Sequence, residues 1–148
     1  MTAPPRIVIL TGAGVAADSG VSTFRDPDGV WARYDWRQVA TPEGFAADPA
    51  LVHSFYNARR EGLKAVAPNA AHVALAKLEG VLGAALTLVT QNVDDLHERA
   101  GQARVLHMHG ELLKARCTRC GAVHRWAGAL SLATRCPECR GDGGMRPD

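Results

Sequence analysis

The apolar run Ile7-Val8-Ile9-Leu10-Thr11 breaks into a glycine-rich stretch, Gly12-Ala13-Gly14-Val15-Ala16-Ala17-Asp18-Ser19-Gly20. No other feature of the sequence narrows its fold as much. Four β-branched or leucine residues in a row read as a strand buried on both faces, as in a parallel sheet. Gly12 permits a tight turn. Gly14 lacks a Cβ, so a phosphate can approach its backbone closely. Ala17 is small enough for a following helix to pack on the strand. This is the G-x-G-x-x-G/A pattern of a dinucleotide-binding turn, which aims helix N–H groups at a pyrophosphate. Alone, the pattern also suits a glycine-rich strand-to-helix turn in any α/β domain.

The remaining chain supplies more strands of the same kind. Residues 6–11 form the first strand, and a short helix follows from about Val15 to Gly20. Residues 21–31, rich in Pro, Gly, Asp and Ser, read as a loop, and a long loop beside a glycine turn reads as a lid. Asp48-Pro49 starts a helix that runs to about Leu63, with Val52, Phe55, Tyr56, Arg59 and Leu63 on one face. Pro68-Asn69 opens another, whose Ala71, Leu75, Leu78 and Leu82 form a core stripe. Leu86–Thr90 is a second buried strand, followed by Gln91-Asn92-Val93-Asp94. A helix then stops at Gly101. Residues 104–108 form a third strand, ending at His109-Gly110. In open parallel sheets, ligands bind beyond the carboxyl ends of the strands. The Gly12 turn, the Gln91–Asp94 segment and His109 are therefore expected to converge.

All four cysteines fall in two C-x-x-C pairs, Cys117/Cys120 and Cys136/Cys139, fifteen residues apart. That spacing predicts a tetrahedral zinc site. Four thiolates leave no open position, so the metal is structural, and it staples a segment with few large apolar residues besides Trp126. The paired cysteines suit a reducing compartment. A net charge of +2 is too small to argue for a nucleic-acid or membrane partner. The N-terminus lacks a signal-peptide pattern, and no apolar run approaches the ~20 residues that span a bilayer. A soluble, cytoplasmic protein is expected.

Together these pieces resemble the sirtuins, the NAD-dependent protein deacylases. The matching residues are Gly12-Ala13-Gly14-Val15 with Asp18-Ser19-Gly20, Thr23-Phe24-Arg25, Gln91-Asn92-Val93-Asp94, His107-Met108-His109-Gly110 and the cysteine pairs. The resemblance implies a base at His109, since an imidazole can take a ribose proton near neutral pH. It implies that Asn92 and Asp94 contact the nicotinamide ribose and carboxamide, and that Gln91 contacts ribose. Arg25 and Phe24 would belong to a cofactor loop, with Arg25 grouped among the catalytic residues. Gly12, Ala13, Gly14 and Ser19 would line the pyrophosphate and nicotinamide pocket. His107 is read as structural. Nicotinamide, free lysine and O-acyl-ADP-ribose would be the products, and NAD and zinc the cofactors. A plain dehydrogenase is disfavoured, because the acidic residue expected about 20 residues after the glycines is absent.

Tyr56 and Arg59 stand three residues apart on one helix face, where a phenol and a guanidinium fork could hold a carboxylate. They are similar to the pair that marks sirtuins accepting succinyl- or malonyl-lysine, and a small Ala40 would make room for a long acyl chain. The resemblance therefore points to the bacterial-type desuccinylase and demalonylase branch, beside plain deacetylation.

The expected architecture is α/β: the first half of a Rossmann-like parallel sheet with a helical insertion (residues 1–113) and a zinc ribbon (114–144). Residues 145–148 would begin a second half. The family's later Gly-Thr-Ser turn has no counterpart here, so a C-terminally truncated chain with an exposed apolar first strand is expected. A zinc-binding remnant without turnover, acting by binding a partner, is the alternative to an acyl-lysine deacylase.

Overall fold

The computed structural model describes residues 6–22, 29, 33–142 and 144–148. The chain forms two compact units, Met1–Thr23 with Val66–Gly110, and Phe24–Ala65 with Glu111–Asp148.

The first unit is built on a parallel sheet. Strands β1 (Ile7–Thr11), β2 (Leu86–Thr90) and β3 (Val105–His107) lie in that order. Thr11 pairs with Thr90, and Thr90 with His107. All three strands therefore finish in one row, and the turns beyond them share one end of the sheet. Helix α1 (Ala13–Ala17) follows β1 directly. Ala16 is the fully buried residue there and Ala17 is exposed, so the small packing residue lies one place earlier than expected. Gly12 is extended, with φ −150°, so it contributes room rather than left-handed freedom. The first strand is the exposed apolar strand expected of this chain, not one buried on both faces. Val8 is 70% and Leu10 60% exposed, because among the described residues β1 has a neighbour on one side only.

Helix α5 (Ala70–Leu82) begins at Asn69. The Asn69 side chain accepts the N–H groups of Ala71 and His72, and His72 Nδ1 accepts the Asn69 N–H. This reciprocal capping box closes the helix start. The predicted Ala71/Leu75/Leu78/Leu82 stripe is only partly its core face, with Leu75 and Leu82 half-buried. Ala71 and Leu78 are exposed, whereas His72 and Glu79 are buried. Polar partners reverse the usual order. Glu79 accepts from Ala103 N at 2.7 Å and Arg104 Nε at 3.1 Å. Burial alone would push the Glu79 carboxyl up, and these donors hold it below the usual range. Helix α6 (Leu96–Arg99) ends at Ala100, with Gly101 beyond it at φ +102°, the left-handed position that favours glycine.

The second unit joins helices to a small antiparallel sheet. Helices α2 (Trp36–Val39), α3 (Pro42–Ala47) and α4 (Pro49–Leu63) precede β4 (Lys114–Cys117), β5 (Val123–Arg125) and β6 (Met145–Pro147), ordered β5-β4-β6. As the sequence predicts, α4 starts with Asp48 accepting Leu51 N at 2.9 Å. Val52, Phe55 and Leu63 are buried, while Tyr56 and Arg59 are half-buried. Met145–Pro147, read from sequence as the start of a second half, is the third strand of this sheet. The helical segment also falls with the cysteine ribbon, not with the parallel sheet. Three side chains of α4 make the join. His53 Nε2 donates to Met145 O at 2.8 Å, Asn57 brackets the Leu130 backbone at both N and O, and Arg60 Nε donates to Leu112 O.

Gly44 shows how tightly α2 and α3 meet. A Cβ there would lie 2.4 Å from the Gln38 carbonyl oxygen. Gly44→Ala is expected to cost about 1–3 kcal/mol by overpacking. Urea denaturation checks this, and unchanged stability would refute the tight approach.

Candidate functional site

Beyond the row formed by Thr11, Thr90 and His107, the β2 chain turns away from the ladder, and its carbonyls need new donors. The end of β3 supplies two. His109 Nδ1 donates to Gln91 O at 3.1 Å, and His107 Nδ1 donates to Asn92 O at 2.9 Å. Two histidines spaced as H-x-H thus hold two consecutive carbonyls. The roles of the rings then diverge. His107 is also engaged at Nε2 by Glu98, at 2.7 Å. His109 is exposed, and with its proton on Nδ1 its lone pair lies on Nε2.

The strand ends are tied together underneath. Thr11 Oγ1 donates to Thr90 Oγ1 at 2.9 Å and accepts from His97 Nε2 at 3.0 Å. Thr90 Oγ1 also accepts the Asn92 N–H. The His97 ring stacks edge-on to His72, centroids 4.8 Å apart. Burial, with His72 beside it, pushes His97 down to about 4, so it acts here as a neutral donor. Asn69 Nδ2 reaches Val15 O and Ser19 Oγ, fixing the far side of the glycine turn. Sequence reading missed Thr11, Thr90, His72 and His97. Only the Asn69-x-x-His72 spacing offered a signal, as a capping box.

Asp94 is buried, and its Oδ1 accepts Leu96 N at 3.1 Å. Burial pushes its carboxyl up, opposed by that N–H and by His72 and His107. Asn92 Nδ2 is buried with no partner among the described residues, a donor that lacks an acceptor there. Among the described residues, a Cβ at Gly14 would meet nothing within 4 Å, so the turn is open above it on that side. An unpaired amide, a carboxylate and an open turn fit a ligand bearing hydroxyl, amide and phosphate groups. Ala13, Gly14 and Ser19 lie in and just after α1, and Gln91 beside Gly12. Phe24 and Arg25 lie outside the described residues.

In the second unit, Cys117, Cys120, Cys136 and Cys139 bring their sulfurs within 4.8 Å of one another. Two pairs are 3.8 and 3.7 Å apart. Zinc–sulfur bonds of about 2.3 Å at tetrahedral angles place sulfurs about 3.8 Å apart, so the cluster fits zinc. Cys117 and Cys136 also belong to the unit's small core, with Ala115, Leu130 and Met145 and with Trp126 packed against it. Tyr56 and Arg59 share the α4 face as predicted, the guanidinium carbon 5.8 Å from the Tyr56 ring centre. Burial pushes the Tyr56 phenol up, against the pull of Arg59, Arg146 and Arg60, so the hydroxyl keeps its proton. Ala40 is exposed at the end of α2. Among the described residues no helix is long and apolar enough to cross a membrane.

The fold and site define a class: a parallel α/β unit with polar groups gathered at the carboxyl ends of its strands, joined in sequence to a four-cysteine metal ribbon. Comparison with known proteins narrows it. The Sir2 family profile matches residues 12–148. The chain is 58% identical over 145 residues to an NAD-dependent protein deacylase of Caulobacter vibrioides, spanning 96% of this chain and 61% of that protein. It is 57% identical over 145 residues to one of Yersinia pseudotuberculosis, spanning 97% and 52%. A Sir2 homologue bound to ADP-ribose superposes with TM-score 0.82 at 44% identity, and a Sir2 homologue–NAD complex with 0.80 at 45%. Those matches cover 95% of this chain and 56% and 55% of the two structures. The chain belongs to the Sir2 family, and it spans roughly half to three-fifths of the relatives it matches.

Native mass spectrometry is expected to find one zinc per chain, lost in Cys136→Ser. Chelation should unfold the small sheet, because two of its core residues are metal ligands. Metal-free protein with the sheet intact would contradict this.

Proposed function

We propose that the protein is an NAD-dependent protein-lysine deacylase that moves the acyl group of a modified lysine onto ADP-ribose, with preference for acidic acyl groups. The observation that carries the reading is the His109 tautomer: Nδ1–H is committed to Gln91 O, leaving a basic Nε2 beside the Asn92 turn. Family membership adds to it, since the relatives quoted are called NAD-dependent protein deacylases.

When bound, NAD supplies a sugar carbon that accepts the acyl oxygen as nicotinamide departs. The protein's own groups do the remaining work. His109 Nε2 takes a proton from a ribose hydroxyl. Asn92 Nδ2, which lacks a partner among the described residues, donates to a ribose oxygen. Asp94 accepts from the nicotinamide amide, and Gln91 meets ribose. Gly12, Ala13, Gly14 and Ser19 carry the phosphates and line the nicotinamide pocket. Phe24 and Arg25 are assigned to the cofactor by resemblance alone. Zinc takes no part in the chemistry, because four thiolates close its coordination.

The acyl preference rests on Tyr56 and Arg59. A protonated phenol and a guanidinium on one helix face can both donate to a carboxylate, and Ala40 leaves space for a longer chain. Arg59→Met is expected to lower kcat/KM for a succinyl-lysine peptide about 10- to 100-fold, the worth of a charged hydrogen bond. Deacetylation should change little. Equal loss of both activities, measured side by side, would sink the acidic-acyl assignment.

A further inference from the structure

The His107 side chain is 6% exposed and lies between two acceptors, Asn92 O at 2.9 Å and Glu98 Oε1 at 2.7 Å. A carbonyl never donates, and a carboxylate donates only when protonated. A neutral imidazole carries a single N–H. Both bonds therefore form together when the ring is an imidazolium paired with an ionised Glu98. Building on the reading of Asp94 as a nicotinamide contact, we propose that His107 is a positioning residue, kept as an imidazolium by Glu98, that fixes the Asn92 turn and holds the buried Asp94 in its ionised form.

The surroundings support each part. Burial alone would push the Glu98 carboxyl up; the His107 bond and charge, together with a backbone N–H and His97, hold it below the usual carboxylate range. The titratable groups facing His107 include Glu98 and His97 on α6 and Asp94 in the turn before it. His97 is neutral, as described above. Asp94 is pushed up by burial, and its opposing charges are His72 and His107, with Glu98 acting the other way. His72 is itself pushed down by burial. That leaves His107 as the cation beside Asp94 at neutral pH. A protonated Asp94 would lose acceptor capacity toward an amide. His107 thus acts on the ligand site through Asn92 and Asp94, without touching the ligand.

Nuclear magnetic resonance of the intact, zinc-loaded protein tests this in two variants. At pH 7 both His107 ring nitrogens should carry protons in the wild type and only one in Glu98→Gln, a half-exposed position that should leave the fold intact. In His107→Gln, which keeps a donor toward Asn92 O, the Asp94 carboxyl carbon should titrate about one pH unit higher, the scale of losing a nearby opposite charge. A single ring proton in the wild type, or an unmoved Asp94 titration in His107→Gln, overturns the proposal. If His107→Gln fails to fold, the ring protons of wild type and Glu98→Gln still decide it. Calorimetry with NAD checks the underlying reading separately. Asp94→Asn should weaken NAD at least tenfold, and unchanged affinity overturns the ligand role of Asp94 whatever the ring state of His107.

Discussion

The arrangement of the parallel unit depends on one constraint: backbone carbonyls that leave a sheet must find donors. At the end of β2 the ladder stops at Thr90, and Gln91 and Asn92 turn away. Two imidazole N–H groups from the end of β3 meet those carbonyls. The His109 bond sets the tautomer of that ring, so a contact that closes the sheet also decides which nitrogen of His109 is basic. The shared strand register makes this possible, because it brings all three strands to their ends in one row. Beneath it, Thr11, Thr90 and His97 form a short hydrogen-bonded chain that fixes the row from below.

The second unit meets a different problem. The apolar cluster of its ribbon is small, and two of the five buried residues in that cluster are cysteines. A metal bond does there what a larger apolar cluster does elsewhere. The polar side chains of α4 extend that order. Asn57 pairs with both backbone groups of Leu130, and the buried Arg60 spans Leu112 O and Asn57. The helix carrying Tyr56 and Arg59 is thereby fixed to the ribbon by hydrogen bonds rather than by apolar packing alone.

Much of this was legible because it depends on local rules. The Asp48-Pro49 start, the Leu86–Thr90 strand, Gly101 past its helix and the two cysteine pairs each follow from backbone chemistry or ligand spacing within a few residues. The Sir2 family resemblance likewise stood on short motifs. What escaped was set by distant partners. Glu79 and His72 are buried because Ala103, Arg104 and Asn69 satisfy them, which leaves Ala71 and Leu78 of the predicted stripe exposed and Leu75 and Leu82 half-buried. Residues 145–147 read as the beginning of something new, but their pairing with β4 across almost thirty residues makes them part of the ribbon. His107 looked structural because periodicity cannot show that both its ring nitrogens face acceptors.

The account's central claim is that the β-strand ends consume NAD as they deacylate lysine, with His109 as the base. The most direct measurement follows nicotinamide and free lysine together when the intact natural protein meets NAD and a succinyl-lysine peptide. The account predicts one nicotinamide released per lysine freed, with lysine release abolished in His109→Ala. Lysine freed without nicotinamide, or with His109→Ala fully active, would contradict it.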